Sequence, residues 1–124
     1  MWKLAIIGLG GGIGSILRYG CSRAIANVPF PGFLWSTFFV NVAGSLAIGI
    51  FWGMGIRGNL TENWKLFLMT GICGGFTTFS AFSLESLRLV QENRWPLFFL
   101  YAAGSVLICL LATYTGIKIS GSLN

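Results

Sequence analysis

Four stretches of this 124-residue chain are each long and apolar enough to cross a lipid bilayer, and little sequence is left between them. A bilayer core needs about 20 mainly apolar residues in helical form. Leu4–Ser22, broken only by Arg18, meets that need, as do Phe33–Ile56, Leu66–Leu84 and Trp95–Ile117. With their flanking turns, helices are expected at about 4–25, 33–56, 65–88 and 95–119. The second is entered through a breaker cluster, Pro29-Phe-Pro31-Gly32. The connections Arg57–Lys65 and Arg88–Arg94 are short and polar, and Trp2, Trp35, Trp64 and Trp95 fall at segment ends, where interfacial aromatic belts sit. Three further spans and a missing A-x-A site argue against a cleaved signal peptide in the first segment. The expectation is one four-helix transmembrane domain over residues 1–124.

Composition closes the alternatives. Charged residues make up 9% of the chain and hydrophobic residues 55%. Such a surface cannot cover a soluble fold, and disorder requires the opposite balance. The net charge is +5, but the eight basic residues are scattered singly, so a nucleic-acid partner is not expected. Histidine is absent, which removes the commonest metal ligand and any Ser-His-Asp or Cys-His arrangement. Cys21, Cys73 and Cys109 lie far apart without a CxxC pair, as small packing residues do. No enzyme chemistry is expected.

Orientation is normally set by Lys and Arg bias. Here Lys3, Arg57, Lys65 and Lys118 fall on one side and Arg18, Arg23, Arg88 and Arg94 on the other. Either fine detail decides one orientation, or the chain inserts both ways and pairs with its own inverted copy. Four short helices enclose a polar path poorly by themselves, which favours an oligomer.

The run Gly8-Leu-Gly-Gly-Gly-Ile-Gly14 does not satisfy GxGxxG in either register. It reads instead as two interleaved small-xxx-small pairs, Gly8/Gly12 and Gly10/Gly14, for close helix packing. Thr37, Asn41 and Ser45 recur every four residues on one helix face. An amide near mid-membrane either glues helices or faces a polar path. In Gly71–Ser83, the pair Gly74-Gly75 followed by Thr77-Thr78 makes a poor continuous helix, so a break is expected at Gly74-Gly75. Carbonyls freed there need protein or an ion to satisfy them. Phe79 and Phe82, interleaved with Ser80 and Ser83, are either core packing or ring edges facing an anion. Tyr101, Ser105, Cys109 and Thr113 form a polar stripe on the fourth span. Glu85 stands at the end of the third segment, leaving no carboxylate deep in a span. Donors without acids suit an anion.

These motifs together resemble the Fluc (CrcB) fluoride channels over nearly the whole chain. The matching pieces are Gly10–Gly14 leading to Arg18-Tyr19, Thr37–Ser45, and most specifically Gly71–Ser83. The resemblance implies a fluoride-selective channel in the cell inner membrane that lets fluoride leave passively and lowers its toxicity. It implies an antiparallel, dual-topology homodimer with two pores. Asn41 would be a donor to the ion, Phe79 and Phe82 the pore-lining rings, and Ser80 and Ser83 would lie beside them. Thr37, in the matching stretch, would also line the pore, Arg18 would stand toward the aqueous entrance, and Tyr101 and Ser105 would form a polar track. Gly74 and Thr77 would offer carbonyl oxygens to a central structural sodium ion. Cys109 departs from the hydroxyl usual at the third track position, and a thiol is a weaker donor.

Two other classes compete. A small multidrug-type, proton-coupled exporter also has four short spans but needs a carboxylate inside its first helix, and Leu4–Leu17 contains no acid. A non-transporting membrane scaffold would use the glycines and Asn41 for packing alone.

Overall fold

The computed structural model describes residues 1–28 and 32–121, without the side chains of residues 32 and 33. The breaker cluster expected before the second span therefore lies outside the described residues, apart from the backbone of Gly32, where the second helix begins. The described elements are helical: α1 (Trp2–Ile25), α2 (Gly32–Ile56), α3 (Glu62–Lys65), a π-helical stretch (Leu66–Cys73), α4 (Gly74–Phe76), α5 (Phe79–Gln91) and α6 (Trp95–Ile119). Four candidate membrane spans result, the third being the composite Glu62–Gln91. The chain is a multi-pass membrane protein. The third span reaches three residues further at each end than the expected 65–88.

Local chemistry explains the ends. Thr61 caps α3 by accepting from the Trp64 N–H at 3.4 Å, and the polar connection before it turns at Gly58, whose φ of 77° suits glycine. Pro96 occupies the first turn of α6, where its missing N–H costs nothing. Leu4, Leu9, Ile16, Leu107, Leu110 and Leu111 are exposed, as side chains meeting hydrocarbon are. Trp2, Trp35, Trp64 and Trp95 are exposed near helix ends.

Packing follows the small residues. The Gly10/Gly14 pair faces the third span: a Cβ at Gly10 would lie 2.9 Å from the Gly71 Cα, and one at Gly14 would lie 2.8 Å from the Phe76 nitrogen. The Gly8/Gly12 pair meets nothing within 4 Å. One of the two interleaved pairs thus packs α1 against its own chain, and the other faces outward. Gly49 and Gly116 do the same for α2 and α6, which pack along their length.

The break in the third span is not at Gly74-Gly75. Gly74 is helical, with φ −62° and ψ −39°, and Gly75 lies inside α4. Its lack of a side chain serves packing, since a Cβ there would sit 3.0 Å from Gly11 Cα. The helix is interrupted three residues later, where Thr77 (φ −82°, ψ 158°) and Thr78 (φ −150°, ψ 114°) are extended. β-Branched residues suit that conformation. The interruption redirects the span: the π-helical stretch and α4 pack on α1, whereas α5 packs on α2 and α6.

Candidate functional site

The interrupted backbone is held by one side chain. Asn41 accepts the Thr78 N–H on Oδ1 at 2.8 Å and donates from Nδ2 to the Thr78 carbonyl at 3.1 Å. The Thr78 hydroxyl caps α5 by accepting from the Ala81 N–H at 3.2 Å, and it lies 3.2 Å from the Ser80 hydroxyl. These bonds have a consequence for the carbonyls four residues earlier. In a continuous helix the Thr78 and Ala81 N–H groups would go to Gly74 and Thr77. Here Asn41 and the Thr78 side chain take them instead. Gly74 and Thr77 therefore end the helical ladder with carbonyls that lack their usual partners.

An open groove of about 380 Å³ runs beside this junction. Asn41, Gly44 and Ser45 come from α2; Met69, Cys73, Gly74, Thr77 and Thr78 from the third span; Phe79 and Phe82 from α5; and Ser105 and Cys109 from α6. The Phe79 and Phe82 ring centroids are 5.5 Å apart, and Phe82 stands 5.3 Å from the Tyr101 ring, giving a row of three rings. The Ser105 hydroxyl is buried, with the residue 6% exposed, and makes no hydrogen bond. In an apolar wall an unpaired hydroxyl is costly unless a ligand meets it.

A second cavity of about 560 Å³ lies on the other side of Thr78, lined by Arg18, Ser22, Ser36, Thr37, Ala81 and Glu85 among others. Thr78 borders both spaces. Asn41 and Thr78 thus form a polar partition between a cavity that carries both Arg18 and Glu85 and an aromatic groove.

Glu85 is the residue that sequence reasoning undervalued. It lies in the middle of α5, half-buried, rather than at the end of its helix. The Thr37 hydroxyl donates to Oε1 at 2.6 Å and the Tyr101 hydroxyl to Oε2 at 2.7 Å. Two polar residues expected along the pore are therefore tied to a carboxylate that lines the adjoining cavity. A signal was available, because Phe79, Phe82 and Glu85 recur every three residues on one helix face. The apolar run stops at Leu84, but the helix continues to Gln91 because Ser86 and Leu89 still bury a face.

The structure brings Asn41, Phe79, Phe82, Ser105, Gly74 and Thr77 to one groove, and Arg18 and Thr37 to the adjoining cavity. Tyr101 reaches the groove's edge through Phe82. Ser80 and Ser83 lie on the exposed side of α5 and line neither space. Thr113, which continues the fourth-span stripe, donates to the Ser45 carbonyl at 3.1 Å and so fastens α6 to α2.

The family profile described as "CrcB-like protein, Camphor Resistance (CrcB)" matches residues 5–117. A protein of Flavobacterium psychrophilum named fluoride-specific ion channel FluC is 46% identical over 124 residues, covering 99% of this chain and 100% of that one. Proteins of the same name from Paramagnetospirillum magneticum (45% identity; 94% and 93% covered) and Phocaeicola vulgatus (43%; 97% and 99%) match similarly. These relatives are named as channels, in keeping with a transport protein rather than an enzyme.

Proposed function

We propose, because this chain belongs to the CrcB-like family, that it is a fluoride-selective channel of the cell inner membrane through which the anion leaves passively. One observation carries the reading. The groove assembles the Asn41 amide, the Phe79 and Phe82 rings and a buried, unpartnered Ser105 hydroxyl, with no acid in its lining. Fluoride is small and tightly hydrated, so a path for it must replace water with close donors while excluding larger halides. Arg18, in the cavity beyond Thr78, would draw the anion toward the Asn41–Thr78 partition against the opposing carboxylate of Glu85, which lines the same cavity. Thr37 and Tyr101 would act through Glu85, whose carboxyl oxygens they hold.

The groove is open along one side, and the basic residues divide evenly between the two faces of the membrane. Both features support an antiparallel, dual-topology homodimer in which a second copy closes the groove and two equivalent pores result. The carbonyls of Gly74 and Thr77, deprived of their helical partners, are hard oxygen donors of the kind that suits sodium. Two such oxygens from each chain would hold a structural sodium ion between the copies, neutralising carbonyl dipoles that hydrocarbon would leave unsatisfied.

The test is efflux from liposomes loaded with fluoride and read by a fluoride electrode, with chloride as control. Fluoride should leave down its gradient and chloride far more slowly. No fluoride efflux would overturn the reading. Strict dependence on a proton gradient would point to an exchanger instead.

A further inference from the structure

The groove contains chemistry that anion passage does not use. Three sulfur side chains line it: Met69 and Cys73 on the π-helical stretch and Cys109 on α6. Met69 and Cys73 are four residues apart, which in a helix of this pitch puts both on one face, one turn apart. Both cysteines are free thiols, and Cys73 is only 3% exposed. The groove lining holds no histidine, aspartate or glutamate that would recruit a harder cation.

We propose that this groove binds a soft monovalent d10 cation, Cu+ or Ag+, through the Met69 thioether and the thiols of Cys73 and Cys109. Thiolate and thioether ligands select such ions. On binding, one S–H bond breaks, its proton leaves to water and a metal–thiolate bond forms. The second thiol and the thioether donate as neutral ligands, and no electron changes hands. The site's charge is unchanged, which low-dielectric surroundings favour over an uncompensated ion. A bound cation would stand beside Asn41, Phe79 and Phe82, and so would obstruct the groove. That obstruction rests on the channel reading, whereas the binding does not.

Silver binding to the purified full chain, measured by competition with a thiol chelator, tests the site directly. The wild type should take one Ag+ per chain in the groove. Cys73→Ser/Cys109→Ser should lower that affinity by more than about 100-fold, beyond what loss of an outer-shell partner does. Cys21→Ser, which alters the thiol on α1 outside the groove, should leave it unchanged. Where the double variant fails to fold, X-ray absorption of the Cu+-loaded wild type decides: an all-sulfur shell supports the site, and a shell of nitrogen or oxygen overturns it. Unaltered silver affinity in the folded double variant also overturns it. In liposomes, silver should block fluoride efflux in wild type and Cys21→Ser, and added thiol chelator should restore it. Silver held by the groove thiols in protein that never conducts fluoride would leave this site standing and remove the channel reading. Efflux with no silver at the groove thiols would do the reverse.

Discussion

Asn41 is the residue on which fold and function most directly meet, and its replacement separates the two. Its amide occupies both polar groups of the Thr78 residue, at 2.8 and 3.1 Å, where the third span is extended. Asn41→Ala leaves that N–H and carbonyl unpaired in the membrane interior. Each orphaned buried group costs about 1–3 kcal/mol, so the pair predicts a loss of about 2–6 kcal/mol. Asn41→Asp keeps an acceptor for the N–H but turns a carboxylate oxygen toward the carbonyl. One orphan remains, and the expected loss falls to about 1–3 kcal/mol before repulsion is added. Function should not follow the same order. The aspartate puts a negative charge beside Phe79 and Phe82, and fluoride flux per folded chain should fall at least as far as in the alanine variant. Reversible unfolding in mixed micelles measures the first quantity, and electrode-monitored efflux normalised to folded protein measures the second. An alanine variant within about 0.5 kcal/mol of wild type, the range of an ordinary surface change, would refute the claim that Asn41 holds the break.

Phe79→Ile and Phe82→Ile should preserve assembly at a cost of about 1–3 kcal/mol and strongly reduce flux, because an aliphatic group presents no positive ring edge; flux at the wild-type rate in intact protein would remove both rings from the site. Gly75→Ala should destabilise by about 1–3 kcal/mol, since the methyl meets the Gly11 backbone, whereas Gly8→Ala, with nothing within 4 Å, should not destabilise the chain; melting in detergent compares them. Tyr101→Phe removes one of the two donors to Glu85 and should reduce fluoride flux while leaving the ring row in place, which the same efflux assay reads. Tags at the wild-type C-terminus should report both sides of the membrane, and two or three lysines added to one connection should bias insertion and lower activity; a tag found on one side only would remove the inverted dimer.

The four spans were legible in the sequence because hydrocarbon imposes a requirement on each segment separately: about 20 apolar residues with their backbone bonds satisfied internally. The same local logic identified the polar stripes on α2 and α6 and marked the third span as unable to run straight. Where it breaks was not local information. Gly74-Gly75 has the weaker helix propensity, yet those residues stay helical because Gly75 is needed against Gly11, and the interruption moves to Thr77-Thr78, where Asn41 is within reach. Glu85 illustrates the same limit. Its place at the edge of an apolar run suggests a helix end, and only the packing of α5 on α2 and α6 brings Thr37 and Tyr101 to its two oxygens. Sequence thus determined which segments enter the membrane, since that depends on each segment's own transfer free energy. Tertiary structure decided which polar groups meet there, since each unpaired group in hydrocarbon must find a partner on another helix.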